Sequence, residues 1–90
     1  MKTYVIERDI PGVHCLTPDQ AKGAAATSNA ALAQLGPAVQ WVTSYVTQDK
    51  TFCIYRAENE EIIRKHAEIS GFPANKISEV TGNLDPTCAG

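Results

Sequence analysis

Two residues in the second half of the chain are of types that can do more than pack. Cys53 lies near the middle of TFCIYRA, and His66 lies within the apolar stripe of ENEEIIRKHAEIS. Valine or leucine would fill either position more simply. On a helical wheel with Ile62 at zero, Ile69 falls at about -20°, His66 at about 40° and Ile63 at about 100°, so His66 points at whatever the helix packs on. A buried imidazole has to satisfy its ring nitrogens. Its partner is a serine, a tyrosine or a backbone carbonyl in the bland case, and a metal in the sharper one.

Glu7 and Tyr55 complete a candidate set. Glu7 falls near the end of the first apolar run, KTYVIERDI. A carboxylate in a central strand is costly if buried alone, and it calls for a cation, a donor or a metal. Arg8 and Arg56 are the cations expected nearest to it. Glu7, Cys53, Tyr55 and His66 would form a mixed nitrogen, oxygen and sulfur cluster. Such a set suits nickel, zinc, cobalt or copper and does not suit calcium or magnesium. A second, local pair is His14 and Cys15 in the loop PGVHCLT. Adjacent imidazole and thiol can both reach one ion, although two ligands bind weakly, and Cys88 in the tail is a possible third.

The elements that must position these residues are legible from periodicity and punctuation. KTYVIERDI reads as a first strand, closed by Pro11-Gly12. Thr17-Pro18 reads as an N-cap and first helical residue, and the alanine-rich helix that follows runs to Leu35 before Gly36-Pro37. Its small side chains should allow close approach to a sheet. AVQWVTSYVT and TFCIYRA form a hairpin about Gln48-Asp49, so Ser44 faces Cys53 and Val42 faces Tyr55. That register puts Val42, Ser44, Cys53 and Tyr55 on one face and Trp41, Thr43, Tyr45, Phe52, Ile54 and Arg56 on the other; a slip by one residue would reverse every assignment. A second helix begins among Glu58, Glu60 and Glu61, which suit its positive end, and stops at Gly71 and Pro73. NKISEVTG is the fourth strand.

The order β-α-β-β-α-β is that of the ferredoxin-like α+β sandwich, with one antiparallel four-stranded sheet and two helices on one face. Residues 1–84 form this single domain and residues 85–90 a C-terminal tail, extended or disordered. Because the middle strands are apolar on both faces, a second copy is expected to cover the bare face. The predicted assembly is a homodimer through the sheet.

Composition narrows the partners. The chain has 90 residues and a formal net charge of -2, with no basic cluster, so nucleic acid and anionic membranes are excluded as expectations. No apolar stretch approaches the about 20 residues of a bilayer span. Glu7 and Asp9 interrupt what would be the core of a signal peptide, so a cytoplasmic protein is expected. Three cysteines without a CxxC pair argue against both a disulfide framework and a zinc ribbon.

The stretches YVIERDIPG, SNAALAQLGPAVQWVTSYVTQDKTFCIYRAENEEIIRKHAEISGFPANKISEV and the closing DP carry a resemblance over roughly residues 3 to 87. Its most specific parts are ERD, the run from Trp41 to Lys50, Cys53-x-Tyr55 and HAEISGFPA. The chain resembles a family of small bacterial ferredoxin-like proteins, a domain of unknown function, that includes a nickel-binding protein. The resemblance implies a ferredoxin-like fold, a dimer and nickel binding. Glu7, Trp41, Ser44, Tyr45, Cys53, Tyr55 and His66 occupy its matching positions. His14, Cys15 and Cys88 lie outside the pattern, so a site built from them would be particular to this protein.

Three functions compete at this point. The first is a small metal-binding protein for nickel, acting in buffering, delivery or sensing. The second is a small-molecule or enzymatic pocket, of the cofactorless monooxygenase or cyclase kind, around His66, Tyr45 and Tyr55 with Trp41 and Ser44; this is fold analogy only. The third is an interaction module in which Cys53 and His66 are ordinary core residues. The reading favours binding over catalysis, since no spacing marks a catalytic set.

Overall fold

A computed structural model describes residues 1–89; Gly90, the last residue of the expected tail, lies outside them. Strand β1 spans Lys2–Asp9, helix α1 Pro18–Leu35, β2 Val39–Val46, β3 Lys50–Ala57, α2 Glu60–Ser70 and β4 Lys76–Val80. Short 3-10 turns cover Val13–Cys15, Gly36–Ala38 and Pro86–Ala89. The sheet order is β2-β3-β1-β4, with all neighbours antiparallel. Both helices cover one face, which makes the chain the expected ferredoxin-like α+β sandwich.

Local chemistry accounts for the element ends. The Thr17 hydroxyl accepts from the Gln20 amide (3.2 Å), and the Gln20 side chain accepts from the Thr17 amide (3.0 Å), a reciprocal cap ahead of Pro18. The Asn59 side chain caps α2 by accepting from the Ile62 amide (3.1 Å), with Glu60 and Glu61 in the first turn. Gly71 ends α2 at φ 77°, ψ 4°, with its amide on the Ala67 carbonyl. Only glycine adopts that left-handed geometry freely. Gly71→Ala is therefore expected to lower the unfolding free energy by about 1 kcal/mol, read as a lower urea midpoint at unchanged slope.

Alternation along β1 sets the interior. Tyr4, Ile6 and Arg8 are buried toward the helices, while Thr3, Val5, Glu7 and Asp9 take the other parity. Tyr4 and Ile6 join Val39, Cys53, Tyr55, Ala57 and Ile63 in the core, with Leu32, Leu35 and Ile62 packed against it.

The hairpin turn is the expected Gln48-Asp49, with the Thr47 amide on the Lys50 carbonyl, and Ser44 pairs with Cys53 as expected. Beyond that point the register departs from the expectation. A bulge between Trp41 and Thr43 leaves Val42 as the extra residue, and Trp41, not Val42, faces Tyr55. The bulge reverses the parity of what precedes it. Trp41 turns toward the helices and Val42 stands 56% exposed. The helix-free face carries Val5, Phe52, Ile54 and the 61% exposed Tyr45, bordered by Glu7, Lys50 and Lys76. The tail, whose sequence has turn chemistry, carries the short turn Pro86–Ala89, with the Thr87 amide on the Asp85 carboxylate (2.8 Å). Among the described residues no helix is long and apolar enough to cross a membrane.

Candidate functional site

His66 is fully buried, as its place on the apolar arc of α2 requires. Its Nε2 lies 3.1 Å from the Ser28 hydroxyl, which lies 3.2 Å from the Tyr55 hydroxyl. The His66 and Tyr55 rings pack with centroids 5.0 Å apart. Ser28 comes from α1, so the three side chains tie both helices to the central strand. The partner of His66 is thus a serine, one of the bland partners expected for a buried imidazole. Nδ1 of His66 has no partner among the described residues.

The environment keeps this chain of hydroxyls and imidazole neutral. Burial pushes the His66 pKa below its ordinary value; the Arg8 charge acts the same way, and hydrogen bonding to Ser28 opposes both. Burial pushes the Tyr55 phenol up, against its bond to Ser28 and the charge of Arg8.

The four-residue cluster expected from sequence is not assembled. Glu7 pairs across the sheet with Phe52, on the face turned away from the helices. Its carboxylate lies 3.7 Å from Lys50 and 4.0 Å from Lys76, and these lysines, not Arg8 or Arg56, are its cations. The physical reason is strand alternation: Arg8 follows Glu7 and so must point the opposite way. Cys53 is buried on the helix side, where its thiol lies 3.5 Å from the Thr51 hydroxyl. Among the described residues no three His, Cys, Asp or Glu side chains gather closely enough to hold one ion.

The pair in the loop is brought together. Cys15 Sγ lies 3.1 Å from His14 Nε2, on an exposed turn. His14 Nδ1 lies 2.8 Å from the Gln48 carbonyl oxygen. A carbonyl only accepts, so Nδ1 carries the ring proton and Nε2 presents its lone pair to the thiol. The loop is held by the Gly12 amide on Asp49 (2.8 Å) and the Ile10 amide on the Asp49 carbonyl (2.9 Å). Cys88 is exposed in its own turn, bonded to Asp85 and Asn83.

A cavity of about 260 Å³ opens between α1 and the sheet. Ala21, Ala24 and Ala25 leave this space where close helix–sheet approach was expected. Arg8, Ser28, Cys53 and Tyr55 line its inner part, and Leu16 and Val46, both exposed, stand at its edge. Of the residues assigned to a pocket from sequence, Tyr55, Trp41 and Ser44 line it, the last two joined by the indole N–H donating to the Ser44 hydroxyl (3.0 Å). Tyr45 is turned to the other face of the sheet, and His66 lies behind Ser28 and Tyr55, outside the cavity lining. Arg8, expected to serve Glu7, is instead 2% exposed on the helix side and lines the cavity. Its signal was present: it shares the inward parity of Tyr4 and Ile6.

Fold and site together define a small ferredoxin-like α+β protein with a few polar side chains buried in its core and a largely apolar cavity. The chain belongs to the SCO4226-like family, described as "Nickel responsive protein SCO4226-like", over residues 4–80. It is similar in fold to the crystal structure of SCO4226 from Streptomyces coelicolor A3(2), with a TM-score of 0.74 over 91% of this chain and 99% of that one, at 19% sequence identity. No curated protein matches the chain in sequence.

Proposed function

We propose that the protein responds to nickel by binding it at the exposed turn Val13–Cys15, through His14 Nε2 and the Cys15 thiolate. The observation that carries this reading is the placement of the His14 ring: Nδ1 lies 2.8 Å from the Gln48 carbonyl oxygen, and Nε2 lies 3.1 Å from Cys15 Sγ. Metal-binding histidines are commonly oriented by such an outer hydrogen bond. An imidazole and a thiolate suit a borderline divalent metal; nickel is taken from the family description, while these two ligands are particular to this chain. Metal ligation by an imidazole and a thiolate displaces protons, so uptake weakens as pH falls. Two donors leave the remaining positions to water or to a second copy of the chain. A homodimer through the open sheet face, with Tyr45, Phe52 and Ile54 at its centre, is part of the same proposal.

The test is calorimetric titration of the thiol-reduced protein with nickel, read alongside thiolate-to-nickel charge-transfer absorption. His14→Ala and Cys15→Ser should each weaken binding by at least about tenfold, the scale at which even orienting partners of metal ligands act. His66→Leu should leave it unchanged. Nickel binding that survives both loop substitutions and disappears with His66→Leu would move the site into the core and sink this reading.

A further inference from the structure

Arg8 is the one core side chain carrying a fixed charge, and the described residues give it no counter-charge. Its Nη1 donates to the Pro73 carbonyl (2.7 Å) and, more weakly, toward the Phe72 carbonyl (3.5 Å). The Tyr55 and Phe72 rings lie 6.0 Å and 5.9 Å from the guanidinium carbon. Nη2 is buried and has no acceptor among the described residues. The titratable groups facing Arg8 do not neutralise it: the Tyr55 phenol is held protonated and His66 is held neutral. A buried guanidinium with an idle N–H group is costly unless an anion completes it. The cavity it lines is walled largely by alanine, valine, isoleucine, leucine, tryptophan and phenylalanine side chains.

We propose that this cavity binds a small organic acid, its carboxylate paired with the Arg8 guanidinium and its apolar body lying between α1 and the Trp41 side of the sheet. Arginine is the side chain best matched to a carboxylate. The apolar walls disfavour inorganic phosphate or sulfate, which would lose hydration without replacement. Size favours a single-ring or short-chain acid: a cavity of about 150 Å³ accepts benzene in another protein, and the space here is about 260 Å³. The site adjoins the His14–Cys15 turn through Val13 and Leu16 but is lined by neither His14 nor Cys15.

Trp41 is the only tryptophan and lines the cavity, so its fluorescence reports occupancy directly. Titration of the full chain with benzoate, with benzamide as the neutral analogue, and with inorganic phosphate tests the proposal. Benzoate should give a saturable change, binding at least about tenfold more tightly than benzamide, since a charge-assisted hydrogen bond is roughly twice as strong as a neutral one. Phosphate should neither change the signal nor compete. Arg8→Gln should remove the preference for benzoate. Ala25→Leu, which fills the cavity and leaves Arg8 in place, should block binding while preserving the fold. Equal binding of benzoate and benzamide, competition by phosphate, or no saturable response to benzoate at millimolar concentration would each overturn the proposal.

Discussion

His66→Ala is expected to lower the unfolding free energy by about 2–4 kcal/mol, and His66→Leu by less than about 1.5 kcal/mol. The ring is fully buried, so truncation to alanine leaves a cavity that the packed helix and sheet close only in part. It also removes one of the two partners of Ser28. Leucine restores most of the volume, removes the unpartnered Nδ1, and leaves Ser28 bonded to Tyr55. Replacing a polar group by an apolar one of similar shape is far cheaper than orphaning it. A domain of 90 residues has a total stability of only roughly 5–13 kcal/mol at about 0.05–0.15 kcal/mol per residue. The alanine variant should thus show a clearly lower urea midpoint and the leucine variant one near the parent. Equal losses in both would mean that the imidazole nitrogens, rather than its volume, hold α1, α2 and β3 together. The same pair of variants bears on the metal question, because a structural His66 can be replaced by leucine without changing nickel binding.

The architecture was readable from sequence because each signal was local. The Thr17-Pro18 cap, the Gly36-Pro37 stop, the Gln48-Asp49 turn and the 3.6-residue stripe of α2 depend on neighbours a few residues away. The family was readable because its motifs lie along nearly the whole chain, and membership over residues 4–80 agrees with them. The candidate site was less legible, for three separate reasons. A bulge at Val42 is one extra residue with no marker in the pattern, and it alone moves Trp41 to the helix side. Glu7 was grouped with Cys53 because their strands are adjacent, although alternation along β1 already separates it from Ile6 and Arg8. Ser28 sits on an alanine-rich helix whose small side chains say little about what stands opposite them. The contact that joins it to His66 and Tyr55 spans three elements, and only tertiary packing creates it. The His14–Cys15 pair was visible as two adjacent residues. Its chemistry came from the Gln48 carbonyl on another element, which fixes the tautomer.

Stability should fall on both sides of a neutral plateau, and two substitutions should flatten the two sides separately. Burial and the Arg8 charge lower the pKa of His66 in the folded protein, whereas the unfolded chain has the ordinary value of about 6.5. As pH falls through about 6.5 the unfolded state takes up a proton that the folded state refuses, so it binds more protons and folding weakens. The loss runs from the unfolded pKa down to the folded one, at up to about 1.4 kcal/mol per pH unit, and stops below it. Tyr55 acts at the other end with the opposite sign. Its folded pKa is raised, so above about 10 the unfolded chain loses the phenolic proton first and stability falls as pH rises. The check is urea unfolding across this range for the parent, His66→Leu and Tyr55→Phe. The difference between parent and His66→Leu isolates one imidazole from every other titrating group, and it should change only below neutrality. The difference between parent and Tyr55→Phe should change only in the alkaline limb. Parallel acid limbs in parent and His66→Leu would mean that His66 takes its proton in the folded state. It would then have a counter-charge or a path to solvent, and Arg8 would not be the only charge in the core.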